Sequence, residues 1–131
     1  MFGYCGNDGD THLLVTGLAG SPQLPRTDGG NTPNWLRHRV LDAATDRDAI
    51  GAKVVLRAGG RTQTREVRVA YSYLCSNDPR VLFGLGEQAQ ADEIGIRWPN
   101  GDARALRDIP ANREIVPSQD GIVEGDLPPS R

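Results

Sequence analysis

Two turn signatures, Gly59-Gly60 and Pro99-Asn100-Gly101-Asp102, set the limits on what this chain can fold into. Gly59-Gly60 suits the tight hairpin turn whose two central residues both need positive φ, and the Pro-Asn-Gly-Asp run closes a second hairpin. The flanking arms alternate apolar and polar residues. Around the first turn, Lys53-Val54-Val55-Leu56-Arg57 leads into residues 61–73, where Arg65, Val67, Val69, Tyr71 and Tyr73 share one face. Around the second, Ile94, Ile96 and Trp98 point inward before the return arm Ala103-Arg104-Ala105-Leu106-Arg107. Repeated alternation across hairpins means half-buried antiparallel strands, and no segment carries a convincing helical period.

Further short strands are read at residues 35–41, 80–83 and 113–116, each bounded by Gly, Pro, Asn or Asp. The 16 glycines and 9 prolines in 131 residues favour short elements joined by turns. The expected fold is all-β, a small antiparallel β-sandwich or barrel of about seven short strands.

The run Asn77-Asp78-Pro79-Arg80-Val81-Leu82-Phe83-Gly84-Leu85-Gly86 reads as the architectural centre of that domain. Asp78 caps a turn by accepting backbone N–H bonds ahead of Pro79. Val81 and Phe83, or Leu82 if the pleat is offset, fill the core, and Gly84 and Gly86 let the backbone bend or pass closely. With Trp35, Gly51, Gly59, Gly60 and Gly101, these are the residues expected to carry structure.

The ends differ from the middle. Residues 1–33 hold a turn at Asn7-Asp8-Gly9-Asp10, a strand at His12–Leu18, an edge strand limited by Pro25, and a Gly-rich linker. Two short strands cannot stand alone in water, so this piece is expected either to pack on a neighbour or to fray. Residues 117–131 are polar, end in prolines, and are read as an unstructured tail.

The net charge is −2, with acidic residues spread among the arginines, which argues against a nucleic-acid footprint. No run is apolar enough to cross a bilayer, and the first residues do not form a signal peptide. Cys5 and Cys75 settle neither the redox compartment nor whether they are bonded to each other.

For chemistry the signals are few. His12 lies in the leading fragment, and His38 alternates among arginines on a strand and is expected to face solvent. Cys75 has no histidine nearby in sequence and is read as inert. Trp35 and Trp98 read as core anchors, and at least one of Tyr71 and Tyr73 is expected to be buried. No nucleophile–base pair or paired carboxylates are visible, so the chain is read as a non-enzyme. A catalytic role for Asp78 and Arg80 would need both in one cleft. A competing functional reading is an exposed aromatic platform of Tyr71, Tyr73 and Trp98 that would stack a sugar ring or dock a partner.

Several elements, in order and spacing, resemble the ASPIC/UnbV domain. They are Asn34-Trp35-Leu36, Arg47-Asp48-Ala49-Ile50-Gly51-Ala52, Gly59-Gly60-Arg61-Thr62-Gln63, Tyr73-Leu74, Asp78-Pro79-Arg80, Phe83-Gly84-Leu85-Gly86 and Ile96-Arg97-Trp98-Pro99-Asn100-Gly101. The resemblance covers residues 34–116. It implies an accessory domain that follows FG-GAP/VCBS repeats of a β-propeller in extracellular or cell-surface proteins, with residues 1–33 as the remnant of a last blade. A non-catalytic role in protein binding or glycan binding follows, with the adjacent propeller as one partner and a carbohydrate-binding β-sandwich as the alternative. Asn7-Asp8-Gly9-Asp10 is similar to the calcium loop of such repeats, but Tyr4, Gly6 and His12 stand where further carboxylates belong. Calcium takes about six to eight oxygens, which Asp8, Asp10 and backbone carbonyls supply poorly, so no cofactor is expected.

Overall fold

The computed structural model describes residues 2–3, 10–17, 19–25, 33–71 and 73–123. Among them lie twelve short strands and no helix. They are β1 (Phe2–Gly3), β2 (His12–Leu13), β3 (Asn34–His38), β4 (Leu41–Asp42), β5 (Arg47–Asp48) and β6 (Lys53–Ala58). The rest are β7 (Arg61–Glu66), β8 (Val81–Gly86), β9 (Gln90–Arg97), β10 (Ala103–Pro110), β11 (Arg113–Pro117) and β12 (Ile122–Val123). Two four-stranded sheets, ordered β10-β9-β6-β7 and β12-β11-β3-β8, carry the fold, with ribbons β1-β2 and β4-β5 beside them. The fold is all-β and consistent with a small sandwich, and no sheet closes into a barrel.

Alternation builds both sheets. On β6, Val54, Leu56 and Ala58 are buried while Lys53 and Arg57 face solvent. On β8, Val81, Phe83 and Leu85 go inward and both glycines stay outside. Ile94, Ile96 and Trp98 enter from β9 and its end, and Leu106 and Ile115 from the last strands, to make one core with Leu36 and Val40. The Gly59-Gly60 turn joins β6 to β7 with φ of 54° and 76°, the left-handed backbone such a hairpin needs. At the second turn, Gly101 N–H donates to the Trp98 carbonyl and Trp98 N–H to the Asp102 carbonyl.

One pairing departs from the antiparallel expectation. β11 runs parallel to β3, with Glu114 beside Arg37 and Ile115 beside His38. The chain leaves β3, builds the whole opposite sheet, and returns on the same heading. The expected tail also gives way in part, because Ile122 and Val123 pair with Pro117 and Val116 and extend the second sheet.

The arm expected to run through Tyr73 stops as a strand at Glu66. Val67 is held by the 49–52 turn, donating to the Ala52 carbonyl and accepting from Gly51 N–H. Beyond it, Asn77 donates to the Val69 carbonyl from both its main chain and its side-chain amide, at 2.9 Å each. That clamp closes residues 69–77 into a loop. Tyr73 and Leu74 at its tip are 88% and 87% exposed, and Leu74 takes φ of 52°. Residues 87–89 form a turn that passes into β9 at Gln90.

The leading segment is described in part. Val15 and Gln23 bond each other's main chain as an isolated bridge, and Asp10 and His12 are buried. Asp8, Cys5, the 26–32 linker and residues 124–131 lie outside the described residues, so the loop reading of Asp8 rests on the sequence. Cys75 itself is a half-buried free thiol.

Candidate functional site

The two sheets meet along one flank, where β7 is the edge strand of one and β8 the edge strand of the other. At one end the edges are tied by the Gln63 side-chain amide, which donates to the Gly84 carbonyl at 2.7 Å. There the Arg65 guanidinium also lies 5.8 Å from the centre of the buried Phe83 ring. Away from that tie the edges diverge and leave a cleft of about 690 Å³. Thr64, Arg65 and Glu66 form one wall and Asp78 to Leu82 the other. Lys53, Arg68, Tyr71 and Thr11 of the leading segment complete it.

Its charges divide into two groups. Arg80 grips Asp78 through Nε and Nη2, the shortest contact being 2.6 Å, and its other nitrogen lies 3.4 Å from Glu114 Oε2. Glu114 receives Arg37 Nε at 2.6 Å. These four groups neutralise one another, with Asp78 and Arg80 on the cleft wall and Arg37 and Glu114 outside its lining. Lys53, Arg65 and Arg68 form no ion pair with any described acid, so the open part of the cleft is basic in a chain of net charge −2. Arg68 stacks 5.3 Å over the Tyr71 ring.

Asp78 and Arg80 do share a cleft, the condition set for a catalytic reading. Burial alone would push the Asp78 carboxyl up, but the Arg80 side chain and main chain hydrogen-bond to it, and Arg80 and Arg37 attract its charge. The net effect holds it below the usual carboxylate range, which makes it a poor base near neutrality. The turn reading also describes what it does, since it accepts Arg80 N–H at 2.9 Å. Hydrogen bonding to Asp78 in turn raises Arg80 despite some burial.

The structure separates the three proposed platform rings. Trp98 is 2% exposed, with its indole N–H donating to the Leu41 carbonyl at 2.9 Å. Tyr71 and Tyr73 are both exposed, so neither is the buried ring that strand alternation would require. Past Glu66 the chain is a loop, and alternation there no longer selects a face. Trp35 is half-buried, not a core anchor, and lies under the Arg37 guanidinium at 5.6 Å.

His38 corrects another expectation. It is fully buried against Phe83, edge to face at 5.4 Å between ring centres, and neither ring nitrogen has a hydrogen-bond partner. Burial pushes its pKa down to about 3, so it is a neutral core residue. Asp10 is buried, and among the described residues no three His, Cys, Asp or Glu side chains gather as metal ligands would. No described helix is long and apolar enough to cross a membrane.

Arg37 and Glu114 carried no signal in the sequence, because only the parallel β3–β11 ladder brings them together. Lys53, Arg65 and Arg68 were visible as charges but not as neighbours. A family model described as ASPIC and UnbV matches residues 42–122, which takes in both hairpins, the cleft apart from Thr11, and the start of β12. No curated protein matches the chain.

Proposed function

This chain belongs to the ASPIC and UnbV family, which supports an accessory domain of a larger protein, and from that premise we propose that it is a non-catalytic interaction domain. Its recognition surface is the basic cleft between β7 and β8. The carrying observation is the division of charge there: Asp78, Arg80, Glu114 and Arg37 are engaged with one another, while Lys53, Arg65 and Arg68 are left for a partner. Concave sites of this size are where ligands bind, and the mostly polar, charged lining here suits a polar partner.

The parent protein on this reading is extracellular or on the cell surface, with an FG-GAP/VCBS propeller as the neighbouring domain. Val15 and Leu24, exposed on the leading segment, would be covered by that neighbour. The glycan-platform alternative is weaker, since Trp98 is occupied in the core and only Tyr71 and Tyr73 remain outside.

The test is an NMR titration of the full chain with three probes: an acidic peptide, a heparin-derived tetrasaccharide and a neutral oligosaccharide. Shifts clustered at Thr64–Arg68, Tyr71 and Arg80–Leu82 for at least one probe support the reading. Shifts confined to other surfaces, or none with any probe, contradict it.

A further inference from the structure

Charge alone does not say what the cleft takes, but its walls do. Among the described residues, β7 has a ladder partner only in β6, and β8 only in β3. Among the described residues no other main-chain hydrogen bond reaches Thr64, Arg65, Glu66, Val81 or Leu82. Both edges therefore present rows of main-chain donors and acceptors to the same 690 Å³ of space. Such rows are a template for another strand unless something blunts them. Proteins commonly blunt an edge with lysine, proline, a bulge or a covering loop. Here the edges are tied together at one end by Gln63 and, among the described residues, left open beyond it.

We infer that the cleft binds an extended acidic segment of a partner polypeptide, which adds to the Thr64–Glu66 edge of β7 as a short strand and sets its carboxylates against Arg65 and Arg68, with Lys53, on the opposite face of the sheet from Arg65, adding to the positive field of the cleft. This rests on the interaction-domain reading and narrows it. Main-chain pairing supplies the affinity of strand addition, and alternate side chains supply its selectivity. Carboxylates at alternate positions suit arginine, whose planar fork donates two parallel hydrogen bonds to a carboxylate. Glu66, the one lining acid not engaged by Arg80, repels a guest carboxylate placed directly over it, which favours acids to either side of that position. Half-buried Leu82 on the opposite wall offers a contact to an apolar side chain between the acids. A sulfated sugar would satisfy the charges but leave the edge amides and carbonyls unmatched at strand spacing. The paired stretch is three residues, about 10 Å of strand, so binding is of the weak, regulated kind.

The probe is a fluorescein-labelled peptide, acetyl-Glu-Val-Glu-Thr-Glu-Val-amide, followed by anisotropy against the full chain. Binding is expected to weaken tenfold or more in K53E/R68E. It should change less than twofold in R113E, an exposed arginine on β11 away from the cleft. A peptide with Lys in place of Glu should not bind. Of two peptides N-methylated at alternate residues, one should lose tenfold or more, because one set of amides faces β7. Circular dichroism of K53E/R68E controls for folding, and Arg68→Gln alone provides a milder variant. Equal losses in R113E, or no loss with either methylated peptide, overturn strand addition. If the heparin tetrasaccharide shifts the cleft resonances and the peptide does not, the acidic-peptide assignment falls while the interaction domain stands. If no probe reaches the cleft, both fall.

Discussion

Arg37 Nε lies 2.6 Å from Glu114 Oε2, and the two side chains, 1% and 7% exposed, are directly opposite each other in the parallel pairing of β3 with β11. The bond joins the first and last long strands of the domain. Two charges taken this far out of water must stay paired, so removing one partner costs far more than removing both. Arg37→Met should destabilise the chain by about 3–5 kcal/mol in urea unfolding, and Arg37→Met with Glu114→Leu by markedly less. Equal costs for single and double variants would mean the pair is not buried as described.

His38 makes the fold acid-sensitive. Its neutral ring is buried with a pKa near 3, against 6.5 in the unfolded chain. Between those values the unfolded chain binds a proton that the folded one refuses, so stability falls as pH drops from 6.5 toward 3 and is flat above that window. The slope approaches about 1.4 kcal/mol per pH unit. Asp78, held below its ordinary 3.8, adds a loss of the same sign at lower pH, as the carboxylate that Arg80 stabilises becomes protonated. His38→Leu should remove most of the slope between pH 6.5 and 4.5 in thermal unfolding. An unchanged slope would place the histidine in water.

Trp98 and Tyr73 should respond in opposite ways to truncation. Trp98→Ala opens the core and orphans the Leu41 carbonyl, at a cost of about 3–5 kcal/mol. Tyr73→Ala touches an exposed ring and should stay within about 0.5 kcal/mol. Denaturant midpoints of the two variants decide the matter.

Asn77 is the clasp of the 69–77 loop. Asn77→Ala should cost about 1–2 kcal/mol, since it removes the amide that bonds the Val69 carbonyl from a buried position. It should also speed proteolysis between Tyr71 and Cys75. Cleavage at the wild-type rate would mean that other contacts hold the loop.

Much of the framework was legible because it is local. Gly59-Gly60 and the 98–102 turn announce their hairpins through backbone needs few other residues meet, and the inward positions of β6, β8 and β9 follow from alternation. Asp78 as a turn cap needs only its neighbours. What stayed hidden depends on residues far apart in the chain. The parallel return of β11 hides behind a sequence that reads equally well in either direction, and with it Arg37 and Glu114. His38 looks solvent-facing beside arginines 37 and 39, yet it shares its face with Leu36 and Val40. Alternation through Val69, Tyr71 and Tyr73 continues past the strand that would give it meaning, because β7 is an edge and lacks a second partner to prolong it. The basic cleft combines Lys53, Arg65 and Arg68 with the Asp78–Leu82 wall, which only the meeting of two sheets makes neighbours.

Hydrogen exchange of the full chain with and without the acidic peptide tests the role of this cleft most directly. Slowed exchange at main-chain amides of Thr64–Glu66, with the β9–β10 hairpin unchanged, is the predicted result. Slowed exchange on the β10 or β12 side with no change along β7 would contradict it.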